Sequence, residues 1–375
     1  METISEKNPK TSLFVELTKQ LKDHRRIDKG NIRHSLEEIF FLTLSAVISG
    51  CNTWETIEEF GKLKLDWLRK YLPYSHGTAS HDTLGAFFSA FERKQFADFF
   101  IKFSQSLAQK DSRVVAIDGK TVRGAASQFG KSPLHIVSAF CHQNRLTLCQ
   151  ETVHEKSNEI TAIPNLIDLL DLEGCVVTID AMGCQKDIAE KIRSKNGDYI
   201  LQVKDNQPDL KEQITKVFNI QNAVNEYVSH DSGHGRMEKR VCRVIDDLRF
   251  LDDKEDWKDL KTIIAVESEV YEKKTQKKSE SVRYYISSGQ GDAKQFAQEI
   301  RAHWSIENNL HWNLDVVFKE DFQLKRKGNS SENFNMIIKA ALGLIEAEKT
   351  KKKSKPTKRL IASIDDSYRE KIMGL

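Results

Sequence analysis

Two aspartates stand at the ends of short apolar runs. Asp118 closes VVAI and is followed by Gly119-Lys120, and Asp180 closes CVVTI. An Asp-Gly pair alone reads as an ordinary turn. On adjacent parallel strands, however, both carboxylates would reach one crevice beyond the strand ends, where α/β sheets place their ligands. Two acids aimed at one spot repel unless a cation lies between them. Oxygen donors of this kind suit Mg²⁺ or Mn²⁺. Two such ions, about 3.5–4 Å apart, would activate an attacking oxygen and stabilise a leaving one in phosphodiester displacement.

That chemistry needs a third acid. Helical spacing puts Trp304, Glu307, His311 and Asp315 on one face, which makes Glu307 the first candidate, with Asp315, Glu320 and Asp321 as rivals. His303, Glu307 and His311 also recur every fourth residue as a zinc-like stripe, but H-E-x-x-H is absent. Phosphate-binding candidates are Lys120, Arg123, Lys204, Asn206, Gln207, His234, Arg236 and His303. The 203–208 run opens a helix after a strand, where amides and a lysine can meet phosphate or Asn206 can simply cap. His234-Gly235-Arg236 makes a basic turn suited to backbone contacts. Lys325-Arg326-Lys327 and a lysine-rich tail add salt-sensitive attraction to a polyanion.

Three regions position these residues. Residues 1–110 carry helical periodicity in LEEIFFLTLSAVI, WETIEEFGKLKLDWLRKYL and DTLGAFFSAFERKQFADFFIKF, which predicts four or five helices. From 111 to 348 the rhythm becomes RVVAID, LHIVSAFC and RLTLCQETV, a three-strand meander, followed by alternating helix and strand through DYILQVK. Three strands followed by helix–strand alternation is the order of a ribonuclease H-like mixed sheet with helices on both faces, of the α/β class. A β-rich insertion occupies about 219–290, one helix carries QFAQEIRAHWSIENNLHW, and a last long helix covers about 331–348. Residues 349–375 read as a basic tail.

Bulk composition bounds the alternatives. Basic and acidic residues, 58 against 55, nearly cancel, so any polyanion must be met by local patches. Six scattered cysteines without a C-x-x-C pair suggest reduced, buried thiols. No secretory leader or membrane anchor is expected, which points to the cytoplasm.

The segments VVAIDGKTVRG, HEKSNEITAIPNLIDLLDLEGCVVTIDAMGCQKDIAEKI, YILQVKDNQPDL, HGRMEKR and IRAHWSIENNLHWNLDVVFKEDFQLKRKGNSSENF resemble insertion-sequence transposases of the group that includes the H-repeat-associated proteins. GCNTWETIEEFGKLKLDWLRKYL and GTASHDT resemble that group's helical associated domain. The resemblance implies a DDE catalytic domain with Asp118, Asp180 and Glu307 as catalytic and metal-binding acids on a two-metal site. It implies double-stranded DNA as partner, both the element's terminal inverted repeats and target DNA, and a homo-oligomer acting on both ends. The expected chemistry is hydrolysis at the element's end, then attack of the freed 3′ hydroxyl on target DNA. An inactive or domesticated DNA-binding descendant, and a nuclease that cuts without joining, are the alternatives. The tyrosine, arginine and lysine that related transposases carry around the glutamate are replaced by Ile300, His303 and Leu314. In the N-terminal motif, Ala79 and Ala86 stand where proline and arginine are common.

Overall fold

The computed structural model describes residues 16–25, 30, 32–108, 113–125, 134–153, 158–233 and 235–375. Five helices come first: α1 (Leu36–Ile48), α2 (Trp54–Leu63), the single turn α3 (Leu65–Leu68), α4 (His81–Ala90) and α5 (Arg93–Leu107). Ser35 and Glu38 close a reciprocal capping box at the start of α1, which is apolar almost all round and lies at the centre of the domain. Phe40 on that helix meets the rings of Phe87, Phe88, Phe91, Phe96 and Phe99 at centroid distances of 5.0–6.0 Å. Edge-to-face pairs of this kind add to the area term in fixing the helices.

The meander follows as β1 (Val114–Val122), β2 (Leu134–Cys141) and β3 (Leu146–Val153). Next come α6 (Glu159–Asp168), β4 (Val176–Ile179), α7 (Lys186–Ser194), β5 (Asp198–Val203) and α8 (Pro208–Ile220). β1 pairs antiparallel with β2 and parallel with β4, and β4 pairs parallel with β5. The strands are bulky and β-branched and sit between two layers: α6–α8 cover one face, and α11 (Ser330–Ala347) with the N-terminal helices covers the other. This is the ribonuclease H-like arrangement.

Four more strands, β6 (Asn225–Gly233), β7 (Arg236–Ile245), β8 (Thr262–Glu272) and β9 (Lys277–Ser287), make up the insertion. They do not stand apart. β9 pairs antiparallel with β5, so one nine-stranded sheet runs β3-β2-β1-β4-β5-β9-β8-β7-β6. The helix expected to run through 291–312 is interrupted. α9 (Ala293–His303) ends at Trp304, a π-helical turn covers Ile306–His311, and α10 (Trp312–Val316) completes the segment.

The expected basic tail is also different. Residues beyond Lys353 form α12 (Lys355–Ile364) and α13 (Asp366–Met373), whose Ala362, Tyr368, Ile372 and Met373 join the core of the N-terminal helices. Two buried arginines fasten them. Arg359 Nη2 donates to Val47 O at 2.8 Å, and the Arg369 guanidinium lies 3.9 Å from the Trp67 ring centre. The lysines at 351–353 conceal the amphipathic pattern that follows them. No helix among the described residues is long and apolar enough to cross a membrane.

Candidate active site

β1 and β4 run parallel with Ile117 opposite Ile179, so Asp118 and Asp180 follow at adjacent positions, Asp180 just past the carboxyl end of β4. Asp118 remains within β1, which continues to Val122, and is mostly buried. Gly119 is required next to it. A Cβ there would lie 2.2 Å from Glu159 Oε1 and 2.5 Å from His135 Nε2, which pack on the opposite face of the strand. Those two groups pair at 2.6 Å, and Thr121 Oγ1 lies 2.9 Å from His135 Nδ1.

Asp180 begins a tight turn at 181–183, with its Oδ1 accepting the Met182 amide hydrogen at 3.0 Å. The turn is held from below. Asn206 Nδ2 donates to Ala181 O at 2.7 Å, and Gln207 Nε2 donates to Cys184 O at 2.9 Å. These two amides are therefore spent on backbone carbonyls of the aspartate's own turn rather than offered to phosphate. Lys204 remains exposed, and its charge acts on Asp180.

Glu307 sits in the π-helical turn, with His311 one turn further on. Ligand atoms of Asp118, Glu307 and His311 all lie within 4.8 Å of one another. His311 Nδ1 is 3.5 Å from Asp118 Oδ2 and 3.4 Å from Glu307 Oε2, while its Nε2 is buried without a hydrogen-bond partner. A π turn adds a residue between successive backbone bonds, and such turns recur at functional sites. Here the Trp312 amide reaches back to Glu307 O, and the buried Asn313 side chain donates to Asn309 O at 2.8 Å. Asn313 thus satisfies a carbonyl that the altered ladder leaves open.

The charges press on one another. Burial, then the Glu307 and Asp180 carboxylates, push the Asp118 carboxyl up to about 8. Burial and Glu159 raise Asp180, partly offset by the Met182 amide and Lys204. Glu307 is held below the ordinary carboxylate range, chiefly by His311. The two carboxyls are thus driven in opposite directions, Asp118 up and Glu307 down. His303 packs behind the site with Nδ1 3.1 Å from Thr178 Oγ1, and burial pushes its imidazole down to about 4. A neutral ring cannot pair with phosphate charge, and His303 lies outside the tight three-residue group, which leaves the zinc stripe incomplete.

The rivals of Glu307 gather elsewhere. Lys120 Nζ lies 2.8 Å from Asp315 Oδ1, 2.8 Å from Glu320 Oε2 and 3.5 Å from Asp321 Oδ1. Asp321 also accepts the Arg123 amide hydrogen at 3.1 Å, and Asn335 donates to Glu320. Below them the fully buried Lys339 donates to Ser138 Oγ and Gln150 Oε1, both at 2.8 Å. Lys120 is thus tied into a structural ion cluster. Lys325, expected to attract polyanion, is buried against the Phe334 ring at 3.8 Å, and its ammonium is pushed down to about 7 by burial. Arg236 is exposed at the outer β6–β7 hairpin, 3.6 Å from Glu272. His234 lies outside the described residues. A cavity of about 830 Å³ lies between α9 and β6–β9, lined by Arg240, Arg283 and Trp304 but by none of the three acids.

Sequence reasoning placed His311 on the Glu307 face without giving it a role beyond the stripe. It gave no role to Glu159, whose only signal is a helix-start position after Asn158.

Comparison with known proteins bears directly on this geometry. The transposase DDE domain family matches residues 109–344, and the DDE_Tnp_1-associated family matches residues 15–104. The "Putative transposase YncI" of Escherichia coli O157:H7 is 41% identical over 356 residues, covering 92% of this chain and 91% of that protein. The "H repeat-associated putative transposase YhhI" of Escherichia coli K12 is 38% identical over 364 residues, covering 94% and 95%. A shorter protein of the same strain, "Inactive transposase YbfQ", is 44% identical over 62 residues, 16% of this chain and 71% of that one.

Proposed function

The chain belongs to the DDE transposase family, and we propose that Asp118, Asp180 and Glu307 form a metal-dependent centre that cuts and joins DNA. One observation carries this reading: ligand atoms of Asp118, Glu307 and His311 lie within 4.8 Å of one another, and Asp180 stands on the neighbouring parallel strand, where its charge, with that of Glu307, opposes ionisation of Asp118. Crowded anions of this kind are relieved by a divalent cation, and carboxylate oxygens suit Mg²⁺ or Mn²⁺. Asp118, Asp180 and Glu307 would hold the metal. Bound there, the metal would supply the charge that activates the attacking oxygen and stabilises the leaving one. The residues do the positioning. Asn206 and Gln207 hold the Asp180 turn, Asn313 holds the turn that carries Glu307, and His311 orients both Asp118 and Glu307.

The substrate on this reading is double-stranded DNA bearing the ends of the element. Water attacks the terminal phosphodiester and the bond to the 3′ oxygen breaks. The freed 3′ hydroxyl then attacks a target phosphodiester and displaces its 3′ oxygen. Lys204, Arg123 and Arg236 are the exposed cations, among the candidates above, that can meet backbone. The protein works in the cytoplasm as an oligomer that processes both ends. Purified protein with Mg²⁺ or Mn²⁺ and end-bearing DNA should give cleaved and joined products, and Asp118→Asn should remove both while leaving binding intact. Binding without product would instead favour an inactive descendant, and cleavage without joining would favour a nuclease.

A further inference from the structure

Near the carboxylates, an apolar ridge stands exposed among the described residues. Phe322 and Leu324 are 77% and 73% exposed, and Trp312 and Val316, one helical turn apart on α10, are also exposed. α10 packs against the 320–322 turn, which sets the two exposed pairs on neighbouring elements. Single exposed apolar residues are ordinary, but a contiguous group is not.

The ridge is held rigidly. Glu320 and Asp321 are bound to Lys120, Gln323 Nε2 donates to Phe318 O at 3.1 Å, and Lys325 is buried between the Phe334 and Trp54 rings. The backbone rests on Gly124, where a Cβ would come within 2.6 Å of Asp321 O and 2.7 Å of Gln323 O. Residues 320, 323 and 325 are thus anchored inward, and 322 and 324 are forced outward. Around them stand the exposed Arg123, Lys319, Arg326 and Lys327. Lys120 is two residues beyond Asp118 on the same strand face, roughly 7 Å along the strand. The anchored loop therefore flanks the carboxylates within the length of a few base pairs.

An apolar ridge in a cationic rim complements a polymer that is anionic outside and apolar within. We propose that Phe322 and Leu324 form a wedge that enters the base stack beside the scissile phosphate and opens one base step, with Trp312 and Val316 against the displaced base. The proposal rests on the DNA-processing reading above. Apolar wedges of this sort kink a duplex because the surface they bury and the contacts the bend permits offset the cost of unstacking. A second copy of the chain fits less well. A two-fold contact through this surface would bring the two sets of cations together.

The test places 2-aminopurine at successive positions flanking the cleavage point and reads fluorescence on binding, without metal. Wild type should brighten the probe at one step. The Phe322→Ala, Leu324→Ala double variant should lose that signal while binding weakens only a few fold, and Phe322→Leu should keep most of it. With metal, the double variant should cleave paired DNA at least tenfold more slowly and recover on DNA mismatched at the brightened step. No position-specific brightening by wild type, an unchanged signal in the double variant, or no rescue by the mismatch would overturn the wedge. So would a change of oligomeric state in the DNA-free double variant, which would make the ridge an interface between copies. Because the fluorescence is read without metal, absence of cleavage by wild type counts against the catalytic reading alone.

Discussion

Replacing Asp118 by asparagine should make the metal-free protein more stable at neutral pH. The Asp118 carboxyl is moved from an ordinary 3.8 to about 8 by burial and by Glu307 and Asp180. A carboxyl raised on folding contributes its full stability below the unfolded value, and that contribution is lost as pH climbs towards the folded one. Between pH 3.8 and 7 the loss can reach about 4 kcal/mol, at about 1.4 kcal/mol per pH unit. Proton sharing with Glu307 brings the expected gain from Asp118→Asn to about 2 kcal/mol. Urea denaturation in EDTA at pH 7 and pH 4 measures it. The gain should be present at pH 7 and nearly gone at pH 4, and added Mn²⁺ should stabilise wild type but not the variant. A variant less stable than wild type at pH 7, or a gain that persists unchanged at pH 4, would refute the crowding of the three acids.

Four further substitutions probe the site and its supports. Asn206→Ala removes the bond to Ala181 O under the Asp180 turn; Mn²⁺ affinity, followed by electron paramagnetic resonance, should fall about tenfold, as it does when groups behind metal ligands are lost. Glu307→Gln should weaken the same affinity by at least about tenfold, whereas Asp315→Asn, whose partner is Lys120, should leave it nearly unchanged. Gly124→Ala puts a Cβ against two carbonyl oxygens of the 320–324 loop, and chemical denaturation should show a loss of about 1–3 kcal/mol.

Asp118 and Asp180 were readable as site residues because each closes a β-branched run, and strand direction then dictates where they point. The meander and the helix–strand alternation were readable for the same reason. Glu307 was a different matter. Nothing local separates it from Asp315, Glu320 or Asp321, and the separation comes from Lys120, which is distant in sequence from all three rivals and binds them together. The π turn leaves no compositional mark, since it changes which carbonyl an amide meets rather than which residues are apolar. β6 escaped notice because NEYVSHDSG is polar and largely exposed, so pairing with β7 rather than burial defines it. Asn206 and Gln207 read as phosphate contacts, with a helix cap as the alternative for Asn206, and the carbonyls they bind belong to a turn more than 20 residues earlier.

The two ends of the chain share one core. Arg359 reaches Val47 across 312 residues of sequence, and α12 and α13 fill the space between the first helices. During synthesis, the helices of residues 36–107 must therefore wait, with part of their apolar surface uncovered, until residues 355–373 have been made. Closing so long a loop costs only a little more entropy than closing a short one, but it imposes an order in time. The catalytic sheet can form first, and the helical domain is completed around it last, so a prematurely terminated chain would carry the three acids on a protein whose other domain has no finished interior.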